Sequence, residues 1–293
     1  MKSRKYVYST LIVAILLLIS CGGNNKKEGQ KNIRSIPTLT KMWETDTLLK
    51  NVESAIYDEA TNAIYVSCMG GFEDILDGDG YIAKLNLQGE IENLHWIDGL
   101  NCPKGLAIYK NNLLVIDIGE LVTIDLLTGK ILTKEKVTGG GHFNDIDVDS
   151  NGDVYLSELQ KSEIFKLQNG KSEMYYTTAK IESVNGVHVD EESLLFTGAK
   201  GNIYSLSKDL NPKIIADSCF KPDGIETYHN GYFCSSWEGK IYYFGQDGVT
   251  HKLIDTWEKD SIFGGDLDVV EEKKILISPT LFSNKVIGYK IED

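Results

Sequence analysis

The chain has 293 residues, 30 Lys+Arg against 43 Asp+Glu and 42% hydrophobic residues, a globular composition with a formal charge of −13. That charge excludes a large basic footprint for DNA or RNA, which needs clustered Lys and Arg to neutralise phosphates. With 28 Gly, 15 Tyr and only 5 Pro, turn formers and aromatics outweigh what a helical bundle carries, and an all-β fold is expected.

The first twenty residues read as a targeting segment. Lys2, Arg4 and Lys5 make a positive n-region, and Val7 to Ile19 is apolar apart from Tyr8, Ser9 and Thr10. This is the signal-peptide pattern, short of the roughly 20 apolar residues that a spanning helix needs. The run ends on Leu18-Ile19-Ser20-Cys21, which resembles the bacterial lipobox. That resemblance implies cleavage before Cys21, lipidation of its thiol, and a protein held to a membrane of the cell envelope by lipid alone, facing the periplasm or exterior. Cleavage after residue 20 removes Lys2, Arg4 and Lys5 and no acid, taking the charge from −13 to −16. Residues 21–38 are polar and read as a flexible tether, and residues 39–293 as the folded domain. Cys68, Cys102, Cys219 and Cys234 can pair in three ways or remain buried thiols.

From residue 50 onward the sequence repeats itself. The phrases are VESAIYDEATNAIYVS around Glu53, PKGLAIYKNNLLVID around Lys104 and FNDIDVDSNGDVYLS around Asn144, then VNGVHVDEESLLFTG around Asn185, PDGIETYHNGYFCSS around Asp223 and GGDLDVVEEKKILISP around Gly265. Each holds a short strand, a polar turn and a second strand rich in β-branched and aromatic residues. Third strands follow at Tyr81–Leu87, Leu121–Leu127, Glu163–Leu167, Asn202–Leu206, Lys240–Phe244 and Lys285–Ile291. The steps between equivalent positions are 51, 40, 41, 38 and 42 residues. Units of about 40 residues with three to four antiparallel strands predict a six-bladed β-propeller with four-stranded blades. The long first step holds the insertion Gly70–Gly80, whose Asp74, Asp77 and Asp79 lack EF-hand spacing and read as a solvated acidic loop. Residues 39–48 are expected to add the outermost strand to blade six and so remove an exposed edge.

First strands of propeller blades line the central channel, so one rung converges on the axis: Glu53, Lys104, Asn144, Asn185, Asp223 and Gly265. Four of these carry oxygen. Two carboxylates and two amides suit one hard divalent cation, calcium best, with other divalent cations open. Taken singly, Asn185-Gly186 and Asp223-Gly224 also read as turn dipeptides.

The phrases ESAIYDEATNAIYVS, FNDIDVD, VNGVHVD, PDGIETY and TLFSNKVIGYKI resemble the senescence-marker-protein/gluconolactonase (regucalcin-like) six-bladed propellers, over about residues 40–293. The resemblance implies that Glu53, Asn144, Asn185 and Asp223 hold one catalytic calcium. Where sugar-lactonase members commonly carry Arg two positions before the third-blade Asn, this chain has His142, after the glycine run Gly139–Gly141.

A calcium site of this kind implies Lewis-acid hydrolysis of a lactone or ester, with Asp223 as base or nucleophile and His142 as a second candidate base. Lys104, His142 and Trp237 are the candidate substrate contacts. No G-x-S-x-G, H-E-x-x-H, P-loop or Rossmann fingerprint is present, and His95, His188, His229 and His251 lack metal spacing. The expectation is a monomeric, calcium-dependent hydrolase acting on a small molecule in the envelope. The alternative is a non-catalytic propeller lipoprotein with a structural calcium that binds a ligand or protein partner.

Overall fold

The computed structural model describes residues 35–71, 75–190 and 193–293. The signal segment, Cys21, residues 22–34 of the tether and Asp74 lie outside the described residues. Six four-stranded antiparallel sheets make the six blades of a β-propeller. Their inner strands are Val52–Asp58, Pro103–Tyr109, Phe143–Val148, Val187–Asp190, Pro222–Tyr228 and Asp268–Val270. The second strands are Ala63–Cys68, Asn112–Asp117, Val154–Glu158, Ser193–Gly198, Gly231–Ser236 and Ile275–Thr280.

Each blade is covered on both faces by its neighbours, so the second strands are buried at almost every position, as in AIYVSC of blade one and ILISPT of blade six. At the periphery the demand disappears, and Lys130–Lys136, the outer strand of blade two, is exposed throughout. The core therefore lies in the seams between blades. Ala107 and Ile116 of blade two, for example, pack with Phe143, Ile146 and Leu156 of blade three. Cys68, Cys219 and Cys234 are buried in such seams and Cys102 beside Met69 and Leu281, all four as thiols. Among the described residues no helix is long and apolar enough to cross a membrane.

The ring is closed by the chain's own beginning. Thr38–Glu44 pairs antiparallel with Lys285–Glu292 as the outermost strand of blade six, with Leu39 opposite Ile291 and Glu44 opposite Ile287. The closing strand stops at Glu44, four residues short of the expected Leu48. Trp43 locks it, its ring lying where a Cβ on Gly288 or Gly89 would stand, and Lys285 Nζ meets Glu44 Oε1 at 2.9 Å across 241 residues of sequence. In the acidic insertion, Asp77 accepts the Asp79 N–H at 3.2 Å and Asp79 accepts the Gly71 N–H at 3.3 Å. These exposed carboxylates serve their own loop's backbone.

Candidate functional site

The inner strands do not run regularly to the mouth of the channel. In blades one, two, three and five the register with the second strand slips by a bulge, at Val52/Ala55, Pro103/Leu106, Phe143/Ile146 and Pro222/Ile225. A bulge frees a backbone N–H from the ladder and re-aims a side chain. Here the freed N–H groups of Ser54, Asp145 and Gly224, and that of Gly186 in blade four, donate to hydroxyls on the second strands. The acceptors are Ser67, Ser157, Ser235 and Thr197 respectively, all at 2.8–2.9 Å. The residue just before each of these N–H groups is Glu53, Asn144, Asp223 or Asn185. Blade two has Ile116 at the hydroxyl position and presents Lys104 instead of an oxygen.

The four oxygen-bearing side chains meet in a head-to-tail chain. Asn185 Nδ2 donates to Asp223 Oδ1 at 2.5 Å, Asn144 Nδ2 donates to Asn185 Oδ1 at 2.5 Å, and Asn144 Nδ2 lies 3.5 Å from Glu53 Oε1. In blades four and six the strands begin only after the ring, so Asn185 and Gly265 sit on the lead-in to Val187–Asp190 and Asp268–Val270. The turn reading of the two X-Gly pairs is overturned: Gly186 and Gly224 are absent from the left-handed backbone positions. They are glycines because neighbouring inner strands touch there. A Cβ on Gly186 would run into the Asp223 carbonyl, and one on Gly224 into the Asp266 carboxylate.

Electrostatics follow from this burial. Glu53 is 6% and Asp223 4% exposed. Burial, reinforced by the charges of Asp223 and Asp266, pushes the Glu53 carboxyl well above its ordinary range, against the pull of Lys104 and Asn144. Burial likewise pushes Asp223 up to about 7, with the Asn185 hydrogen bond opposing it. Glu53 Oε2 is buried with no hydrogen-bond partner among the described residues. Such an oxygen is expensive unless a cation or donor completes it. A hard divalent ion fits the set, since two carboxylates balance its charge and either amide, turned over, presents oxygen in place of nitrogen. No group of three or more His, Cys, Asp or Glu among the described residues is arranged to hold a metal, so a cation depends on this mixed set.

Above the ring lies a cleft of ≈ 230 Å³ lined by the four oxygen-bearing residues, Lys104 and Gly265, with Trp237, Met69, Leu159 and Leu281 as its wall. Trp237 is held by edge contacts with Phe263 at 5.1 Å and Phe282 at 6.3 Å between ring centroids. His142 is not among the lining residues. Its N–H donates to Glu158 Oε1 at 3.1 Å and its carbonyl accepts from Leu159 at 3.1 Å.

Sequence reasoning missed a second polar layer on the same strands. Asp147 accepts the N–H groups of Val148 and, across the blade seam, Val189, both at 2.7 Å. Asp268 accepts those of Val269 at 2.8 Å and Tyr57 at 2.7 Å. His188 lies between, with Nε2 2.8 Å from Thr227 Oγ1 and Nδ1 3.3 Å from Asp147 and 3.8 Å from Glu226. The readable signal was the alternation Asp145-Ile146-Asp147 and Asp266-Leu267-Asp268, which sends both acids of each pair to one side of a strand. Burial and mutual charge push Glu226 and Asp266 upward, and burial takes Asp268 to about 6.

No model of a known protein family matches the chain, and no curated protein does. Solved structures share its fold. A gluconolactonase from Xanthomonas campestris superposes with a TM-score of 0.68 at 15% identity, covering 89% of this chain and 96% of its own. A streptogramin B lyase gives 0.64 at 11% identity, over 87% and 98% of the two chains. A catalytically inactive virginiamycin B lyase from Staphylococcus aureus, with quinupristin, gives 0.61 at 11% identity, over 87% and 99%. At these identities the likeness is one of fold.

Proposed function

We propose that the protein is a calcium-dependent lactonase- or esterase-type hydrolase, a lipid-anchored monomer of the cell envelope related to the gluconolactonase propellers. The observation that carries this reading is the buried, unpartnered Oε2 of Glu53 in a ring with Asn144, Asn185 and Asp223 at the floor of an open cleft. Those four residues would hold the ion. When bound, calcium supplies a Lewis acid that polarises the acyl carbonyl and stabilises the charge developing on its oxygen.

The chain's own groups do the rest. Burial pushes Asp223 up to about 7 in the metal-free chain; a bound divalent ion would oppose that rise and keep the group a carboxylate, the form that accepts a proton. It takes a proton from water as the water oxygen bonds to the acyl carbon. It returns that proton to the alkoxide released when the acyl C–O bond breaks. The Asn185 amide, donating to Asp223 Oδ1 at 2.5 Å, orients the carboxylate. Lys104, on the same ring, offsets the charge of Glu53 and faces the substrate with Trp237. His142, outside the cleft lining, is the weaker candidate for a base.

Lys104 favours a second reading, a non-catalytic propeller whose calcium is structural, because an ammonium occupies a ring position where a further ligand would otherwise be. A calcium-dependent hydrolysis screen over sugar lactones, alkyl lactones and aryl esters decides between them. Turnover abolished by chelator supports the hydrolase, and calcium binding with no turnover supports the binding propeller. The anchor is tested separately: Cys21→Ala should abolish fatty-acid labelling, and label retained in that variant would refute the lipobox assignment.

A further inference from the structure

The wall of the cleft is built from one repeated position. The residue that follows the second strand is Met69, Ile118, Leu159, Ala199, Trp237 and Leu281 in blades one to six. Backbone bonds fix it beside the ring: the N–H groups of Met69, Leu159 and Trp237 donate to the carbonyls of Asn51, His142 and Lys221, each two residues ahead of a ring residue, at 3.0–3.1 Å. Met69 and Leu281 are each 3% exposed and pack as one apolar cluster with Ile118, Trp237 and Phe263. Aromatic edges continue this surface outward, with Phe263 at 4.7 Å from Trp257 and 5.0 Å from Phe282 between ring centroids.

Resting on the hydrolase reading of this cleft, we infer that the apolar collar over the oxygen ring selects an acyl substrate with an aliphatic or aryl body, and rejects polyhydroxylated lactones. Among the lining residues, side-chain donors belong to the ring amides, Lys104 and the Trp237 indole; Met69, Leu159 and Leu281 offer none. Each sugar hydroxyl pressed on that wall would lose water without gaining a partner. Each methylene buried there instead gains about fourfold in affinity. The cleft of ≈ 230 Å³ has room for about eight water-sized groups, so several methylenes can be buried against the wall.

The test uses the full chain with calcium present. kcat/KM is measured for six-membered-ring lactones bearing alkyl chains of increasing length and for glucono-δ-lactone. Binding of a non-hydrolysable alkyl δ-lactam and of its polyhydroxylated counterpart is measured by calorimetry. The expected result is a rise of about fourfold per methylene until the cleft is filled, with the sugar lactone the poorest substrate and the alkyl lactam the tighter ligand. Leu159→Asn, at a half-buried site, should lower kcat/KM for the longest alkyl lactone about tenfold and flatten the chain-length series, while raising that for the sugar lactone, whose hydroxyls gain an amide partner. A preference for glucono-δ-lactone would overturn the collar's role while the hydrolase reading stands. If nothing is hydrolysed, the hydrolase reading fails and the lactams judge the collar alone. Tighter alkyl binding then supports it, and equal or absent binding overturns it.

Discussion

Glu53 and Asp223 at the mouth, and Asp147 and Asp268 deeper among the same inner strands, are all buried or half-buried carboxylates, yet their oxygens meet different company. The deeper pair is answered in full. Each accepts two backbone N–H groups, one from its own strand and one from the neighbouring blade, so these acids stitch the seams. At the mouth, Asp223 receives an amide from Asn185, and one oxygen of Glu53 receives nothing from the described residues. Burial raises the proton affinity of Asp223 in one layer and of Asp268 in the other, so a shifted pKa does not separate them. The partner count does. A layer satisfied by backbone holds the fold together, and a layer left short is poised for a ligand from outside.

The sharpest way to break this contrast is at Asp223. Asp223→Asn keeps an oxygen of similar size, so calcium should still bind, more weakly, while turnover falls at least about 100-fold at saturating calcium. Glu53→Gln removes the same charge and should recover as calcium is raised. Equal recovery of both variants, followed by steady-state kinetics, would reduce Asp223 to a ligand. Next in size, Asn185→Ala should weaken calcium binding beyond the roughly 10- to 100-fold that losing an outer-shell partner costs. It should also remove the calcium-dependent rise in Tm, since a ligand stabilises only by binding the native state. Identical melting of variant and wild type in calcium would contradict the ring.

The deeper layer should behave oppositely. Asp147→Ala strips the Val148 and Val189 amides of their acceptor and should cost about 2 kcal/mol, read in denaturant melts as the same loss with calcium and with chelator. A loss confined to the calcium-loaded protein would mean that the two layers are one site. A smaller effect appears with pH. Asp268, raised to about 6 from an ordinary 3.8, binds more protons folded than unfolded between those values. Its contribution is full below about 4 and is lost as pH rises through about 6, at about 1.4 kcal/mol for each unit between its folded and unfolded values. Asp268→Asn should flatten that part of the metal-free stability profile. Smallest of all, His142→Ala should change kcat/KM less than about tenfold, because His142 lies off the cleft lining; a loss of 100-fold would return it to the role of base.

The repeat made the six blades and the ring positions legible, because one strand-turn-strand phrase recurs with its hydrophobic alternation intact. The closing strand was legible as well, since residues 39–48 had no other blade to join. What escaped was set by contacts between blades. Gly186 and Gly224 looked like turn residues because local sequence cannot show that a neighbouring strand passes within a Cβ radius. His188 looked isolated because Asp147, Glu226 and Thr227 lie some forty residues away on adjoining blades. Ser67, Ser157 and Ser235 passed as ordinary strand residues, their hydroxyls spent on bulges that only the register reveals, and so did Thr197, whose hydroxyl takes the Gly186 N–H ahead of the blade-four inner strand. Met69, Leu159 and Leu281 are apolar residues in a chain full of them, and nothing local distinguishes wall from core.

The pairing of Thr38–Glu44 with Lys285–Glu292 also governs how the molecule can be made. Blade six cannot be completed until Lys285–Glu292 is available, so the first of the described strands to emerge is the last to be seated. Contacts of such sequence separation slow folding. In the interval the third strand of blade six would present an open row of N–H and C=O groups to any passing chain. Truncation by the final eight residues would therefore remove two strands from the ring, the one deleted and the one it holds. The nascent protein is vulnerable to self-association at one seam, and for as long as its two ends remain apart.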